Sequence, residues 1–263
     1  GTWPCSITQA DPADQLAGTD VLVVRHAELC VAGSGGNCEA DVPGKLYFQA
    51  TRCLTDVTSY VLETDATSTF PLLQRTCDVA FPADKRKFVS TIYYIRDYAV
   101  TDGDGIPTLM RAQFDLAGGT LAHQAPVALV EGIEGFRIEL GIDNRSKAYA
   151  GEPTGTPVDY TVAVNWLDPL TRQIPTNRGD GAPDGAFVSC TTAVPCTLDQ
   201  LANVTAAKLY LLVRSREPAQ GFTDTKTYTL GTTVLGPFND GFKRHVYVST
   251  VRLPNIAGRR QTP

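Results

Sequence analysis

The sharpest enzymatic signal in this chain is Val23-Val24-Arg25-His26-Ala27-Glu28, where an apolar run ends by setting an imidazole beside a guanidinium. Imidazole is a good nucleophile near neutrality, and the adjacent cation can hold phosphoryl oxygens, so the chemistry on offer is phosphoryl transfer through a phosphohistidine. Two acidic turns, Asp102-Gly103-Asp104 and Asp180-Gly181-Ala182-Pro183-Asp184, could present oxygens to Ca²⁺. Neither completes a calcium loop, because further oxygens and a closing Glu are absent, and the expectation is turn-forming Asp with calcium binding left open.

A strand ending in Arg-His-x-Glu resembles the start of histidine phosphatases. Those enzymes also need a second His, more Arg around the phosphate and a helix directly after the motif. Here the motif runs into a Cys loop with three glycines. His123 sits between two turn signals, and His245 lies in an alternating strand that would turn it to solvent. The phosphatase through Arg25-His26 is therefore kept only as a remote alternative. Arg178-Gly179-Asp180 spells an adhesion tripeptide and reads as a solvated turn; Asn144-Arg145-Ser146 and Asn203-Val204-Thr205 match the glycosylation sequon. No Gly-x-Ser-x-Gly, phosphate-binding Gly loop or His-Glu-x-x-His occurs, so no catalytic residue, metal ligand or cofactor is assigned.

Seven cysteines, at 5, 30, 38, 53, 77, 190 and 196, lack both a Cys-x-x-Cys pair and His-rich neighbours, which disfavours zinc and favours an oxidising compartment. Cys30 to Cys38 and Cys190 to Cys196 each bound a short loop that a disulfide can staple. Cys53 and Cys77 are a further candidate pair, which leaves Cys5 odd.

The elements that must position these groups are β-rich. The chain has 263 residues, 43% hydrophobic and 19% charged, with no low-complexity block, which fits a globular protein with a sizeable core. A net charge of -5 argues against nucleic-acid or anionic-membrane partners. No run approaches a membrane span, and residues 1 to 20 lack the pattern of a signal peptide. Strands are expected at Val21 to Arg25, Lys45 to Gln49, 57 to 62, 72 to 81, Phe88 to Arg96, Thr108 to Phe114, Tyr160 to Trp166, Lys208 to Ser215 and Arg244 to Arg252. A long run from Ala125 to Glu139 carries a break or bulge at Gly132 and Gly135. Residues 143 to 158 and 167 to 187 read as long surface loops, and only Leu198 to Ala207 reads as helix, capped by Thr197. The expected class is α+β, mainly β, with antiparallel sheets in a single domain over 1–263.

Four of the runs close on a cation: Lys87 to Arg96, Leu129 to Arg137, Lys208 to Ser215 through its Arg214, and Arg244 to Arg252. With Trp3-Pro4-Cys5, Gly18 to Arg25, Ile92 to Asp97, Ile106 to Arg111, Leu129 to Arg137 with Gly141-Ile142-Asp143, Leu211 to Ser215, and Arg244 to Arg252 followed by Leu253-Pro254-Asn255, they form an ordered series. Together that series resembles the soluble part of a PilW-family minor pilin of bacterial type IV pili. Arg25-His26-Ala27-Glu28 then resembles the family's first strand end with a His substituted in.

The resemblance implies a pilin-like head domain without catalytic residues, which joins other minor pilins to prime pilus assembly and holds a tip adhesin. It implies a periplasmic domain, inner-membrane-anchored before assembly and at the extracellular pilus tip afterwards. Family chains carry a long apolar N-terminal helix; this chain starts at Gly1-Thr2 without one, so the expectation is a soluble piece cut after that helix, touching membrane only through it. The long polar segment from 143 to 187 departs from the family pattern. A competing expectation is a secreted carbohydrate-binding β-sandwich, in which Tyr93, Tyr94, Trp166 and Tyr210 would be stacking platforms, although strand positions make packing their more natural job.

Overall fold

The computed structural model describes residues 14–64, 70–146, 155–159, 166–168, 170–171, 173–191, 193–255 and 257. The chain divides into two compact units, Gly1–Gly132 and Ile133–Pro263. Every strand pairing is antiparallel, in a mainly β architecture of the α+β kind.

The first unit is one seven-stranded sheet built from β1 (Leu22–Ala27), β2 (Leu46–Ala50), β3 (Tyr60–Thr64), β4 (Lys85–Arg96), β5 (Thr108–Ala117), β6 (Thr120–His123) and β7 (Val127–Glu131). The long β4 is its axis. It pairs with β2 through Lys85–Lys87, with β1 through Phe88–Tyr93 and with β5 through Ser90–Arg96. β3 extends the sheet beyond β2, and β5 takes β7 at its start and β6 at its end. Alternation along β4 and β5 sends Ile92, Tyr94, Met110 and Ala112 to one face, where Ile92 lies opposite Ala112 and Tyr94 opposite Met110.

The run from Ala125 to Glu139 does break at Gly132, whose φ of 79° turns the chain out of β7. The segment 72 to 81 is not a strand. Only Leu73 bridges to Pro82, because Gln74 to Cys77 form a turn in which Cys77 adopts φ 56° and is bonded to Cys53.

The second unit opens with β8 (Ile133–Ile142), followed by a small hairpin of β9 (Trp166–Asp168) and β10 (Gln173–Pro175). α1 (Leu198–Ala202) then leads into β11 (Val204–Arg214), β12 (Tyr228–Leu230), β13 (Thr233–Leu235) and β14 (Arg244–Arg252). β14, β11 and β8 form a three-stranded sheet in that order, and β12 pairs with β13. Tyr210, Leu212 and Leu230 make the buried centre, with Tyr228, Leu235, Phe238 and Val246 packed on it. Gly135 sits where an added Cβ would lie 2.9 Å from Leu230 and 3.0 Å from Leu212, so only a residue without a side chain lets the β12–β13 hairpin close on β8.

Several expectations change here. The helix at 198 ends at Ala202 rather than Ala207. Thr197 caps it in a full capping box with Gln200, but β-branched Val204 enters the ladder opposite Ile142 with Thr205 following it in the strand, and sheet pairing overrides the helical pattern. Arg137 does not close a strand, since β8 continues five residues to Ile142, whereas Arg96, Arg214 and Arg252 do end theirs. The loops flanking residues 143 and 180 are less superficial than their polarity suggests: Asp143 is fully buried and Gly179 and Gly181 are buried with it. Gly181 donates its N–H to Asp143 at 2.9 Å. Of the expected strand from Tyr160 to Trp166, residues 160–165 lie outside the described residues, as do Trp3, Pro4 and Cys5.

Candidate interaction surface

The β14-β11-β8 sheet carries apolar side chains on both faces. One face carries Tyr210 and Leu212 into the core. On the other, register places Ile138, Leu209 and Ser249 in one row, Phe136, Leu211 and Tyr247 in the next, and Ile133, Val213 and His245 in a third. Phe136 is buried, the β11 members of these rows are half-buried, and Tyr247 and Val251 are 55% and 45% exposed. Ile133 is buried like Phe136, so the part of this apolar face left open to water is the strip along β14.

The edge of the sheet points the same way. β14 pairs only with β11 among the described residues, and its outer edge carries no Lys, Pro or bulge between Arg244 and Arg252. Such an edge lacks the usual devices that block strand addition. Val248, on the core-side face of the same strand, is also 55% exposed, so β14 projects apolar groups on both sides. In the first unit, β7 likewise exposes Val127, Leu129 and Val130 by 51%, 42% and 50%.

A buried ionic centre ties β14 to β8 and to the segments that carry Asp224 and Asp240. The Arg244 side chain is fully buried and uses all of its N–H groups. Nε and Nη2 donate to the two oxygens of Glu134 at 2.5 and 3.1 Å, Nη1 and Nη2 to those of Asp240, both at 2.6 Å, and Nη1 also to Asp224 at 3.0 Å. Phe238 lies 3.8 Å from the guanidinium carbon, and Arg214 adds a second cation on Glu134 at 3.2 Å. A β-bulge at Glu134, between the Leu212–Gly135 and Val213–Ile133 pairs, turns that carboxylate to the side of Arg214 and Arg244. Burial by itself would lower the Arg244 pKa; the three carboxylates outweigh it and raise it above the ordinary arginine range. Burial would raise Asp224, yet the bonds from Arg244 and Tyr228 hold it below the usual carboxylate value. Behind the same sheet, Glu139 accepts from Tyr210 Oη at 2.8 Å and from Thr232 N at 3.0 Å.

The residues singled out for chemistry do not converge. Arg25 lies opposite Ser90, Ser90 opposite Phe114, and Phe114 opposite His123, so Arg25 and His123 share a sheet face and His26, one residue on, belongs to the other. The His26 ring is exposed and, among the described residues, its hydrogen-bond contact is with the Ala27 carbonyl at 3.1 Å. His123 packs edge-on against Phe114, and burial together with Arg25 pushes its imidazole below the ordinary value. His245 packs against Tyr247 in β14. Tyr94 and Tyr210 are buried, each pushed up to about 12 chiefly by desolvation, and cannot stack on a sugar; Tyr93 and Trp166 are half-buried.

The acidic turns are structural knots. Asp104 accepts backbone N–H bonds from Ala99, Val100, Thr101 and Ile106, which depress its pKa strongly. Asp102 is an exposed neighbour in the same turn. Asp184 accepts from the N–H groups of Asn144 and Arg145, and Asp180 from that of Ala182. Among the described residues no three His, Cys, Asp or Glu side chains gather as metal ligands. Replacing Asp104 with Ala should leave those four amides without their acceptor, and hydrogen–deuterium exchange at Ala99, Val100, Thr101 and Ile106 should quicken while β4 and β5 stay protected.

The adhesion tripeptide is no open turn, because Gly179 is buried and an added Cβ there would fall 2.3 Å from Asp143. Of the sequons, Asn203 is buried at the helix C-cap, donating to Asp199 at 3.1 Å, while Asn144 is exposed. Disulfides join Cys30 to Cys38, Cys53 to Cys77 and Cys190 to Cys196, with Cα–Cα distances of 5.4, 5.0 and 5.1 Å. No helix among the described residues is long and apolar enough to cross a membrane.

The apolar rows and the Arg244 centre went unread as sites in the sequence. The signal for the first was the near-continuous apolar run Leu209-Tyr210-Leu211-Leu212-Val213, which marks a strand covered on both faces. Compared with known proteins, the family model described as Type IV Pilus-assembly protein W matches residues 92–255, more than half of the chain. No curated protein and no solved structure matches it.

Proposed function

We propose, from the premise that this chain belongs to the PilW family of type IV pilus-assembly proteins, that it is a non-catalytic minor pilin. In this reading it joins other minor pilins to prime pilus assembly and displays a tip adhesin. Its two units serve as one periplasmic head, tethered to the inner membrane by the long N-terminal helix typical of the family and carried to the extracellular pilus tip on assembly.

The observation that carries the reading is the second apolar face of the β14-β11-β8 sheet together with the edge of β14, a strand that pairs only with β11 among the described residues. Apolar area and backbone donors on one sheet are what subunit joining requires, by face packing or by strand addition. Within the first unit His123 lies on the opposite sheet face from His26, which favours an interaction role over phosphoryl transfer there. The test is co-purification of this domain with the soluble domains of the minor pilins and tip protein encoded beside it. A stoichiometric complex is expected; a domain that stays monomeric in every mixture would overturn the reading.

A further inference from the structure

We propose that the first unit carries a pocket for a carboxylate-bearing sugar, independent of the apolar sheet face. A cavity of about 350 Å³ is lined by Arg52, Arg75, Arg86, Asp84, Gln74 and Phe48, with three alanines completing its floor. Three guanidinium groups against one carboxylate make a concentrated positive site in a chain whose net charge is -5. A concave site of that sign attracts an anion, and the arginine fork matches a carboxylate or phosphate with two parallel bonds.

The cations come from three separate segments, and the fold holds the backbone of each. Arg86, in β4, donates from Nη1 to the carbonyls of Glu28 and Leu29 and from Nη2 to Asp84 at 2.7 Å. Arg52 and Arg75 flank the Cys53–Cys77 disulfide, which clamps their two loops together. Arg52 N donates to the Leu73 carbonyl at 3.0 Å, and the Asp56 carboxylate accepts from both Leu73 N and Thr51 Oγ1. The backbones carrying the two arginines are thus preorganised, while neither side chain has an ion-pair partner among the described residues and both are exposed.

Asp84 decides between anions. It uses Oδ2 on Arg86, and its other oxygen is an acceptor inside a cationic pocket. A bare phosphate or a simple acidic side chain would meet that oxygen as repulsion. A sugar acid offers hydroxyl donors to it while its carboxylate meets Arg52 and Arg75, and the C–H face of the ring suits Phe48 and the alanine floor. The volume lies at the small end of ligand pockets and suits one ring.

The experiment titrates the whole chain with glucuronate, glucose, inorganic phosphate and the dipeptide Asp-Glu, read by calorimetry and by amide shifts. Saturable glucuronate binding is expected, at least about tenfold tighter than any of the other three. Arg52→Gln and Arg75→Gln should each weaken it by about tenfold, the scale of one charge-assisted contact. Both residues are exposed, and unchanged circular dichroism would show that the variants fold. Three results would overturn the proposal: no saturable glucuronate binding, binding that both variants leave intact, or phosphate or the dipeptide binding as tightly as glucuronate.

Discussion

Arg244→Ala should destabilise the second unit by about 3–5 kcal/mol, the usual cost of removing one partner from a buried ionic network. The substitution strands Asp224, whose side chain is fully buried, and leaves Glu134 with Arg214 as its cation. That loss is a large part of the roughly 5–15 kcal/mol available to a whole domain, so a lowered or absent unfolding transition is the expected readout in urea. Arg244→Lys should recover only part of it, because one ammonium cannot reproduce two bidentate forks. Acid gives an independent check. Bonds from Arg244 hold Asp240 below its ordinary value of 3.8, and Asp224 is held below it despite burial. A carboxylate whose pKa is depressed by folding binds fewer protons in the native state, so its contribution is complete above about pH 4 and is lost as pH falls through the depressed folded value. Urea midpoints of the wild type should therefore drop steeply below pH 4. In Arg244→Ala, which lacks the cation that depresses both groups, the same plot should be flatter; an equally steep one would show that other carboxylates dominate acid sensitivity.

The second large effect concerns assembly and should leave stability nearly untouched. Tyr247→Asp combined with Val251→Asp puts two charges on the apolar face at positions already 55% and 45% exposed, so the melting temperature should move little. Binding to other pilus subunits should be lost in the co-purification assay, since a central aromatic anchor at an interface is typically worth 2 kcal/mol or more, about thirtyfold in affinity. The matching control is Val127→Asp in β7, also exposed at a sheet edge but in the first unit. If both variants still co-purify at wild-type levels, the sheet face is not the joining surface.

How legible all this was in the sequence depends on the distance over which each feature is written. The strong strands were local: alternation and β-branched content mark β4 and β14, and the latter has the predicted bounds of Arg244 to Arg252. Thr197, with Asp199 in the first turn, announced the helix start just as locally. Its end was hidden because nothing in Asn203-Val204-Thr205 says that Ile142, 62 residues before Val204, will compete for the backbone. Asp143, Gly179 and Gly181 read as solvated loop for the same reason, since polarity records composition and not the partner a folded loop finds. The ionic centre draws on residues 134, 214, 224, 240 and 244, and the arginine pocket on 52, 75 and 86. No periodicity links such positions, and only the topology brings them together.

The separation of 110 residues between Glu134 and Arg244 has a consequence in time. The guanidinium stands at the start of β14, the last strand of its unit to emerge, while Glu134 is among the first residues made. Until β14 arrives, Glu134, Asp224 and Asp240 face their centre with Arg214 as the sole arginine of the cluster. The sheet then has neither its neutralising charge nor its third strand. Closing so long a loop is a slow search, so the second unit should complete its fold late and in one step. A chain that cannot finish this unit early leaves it open until its last strand has been made.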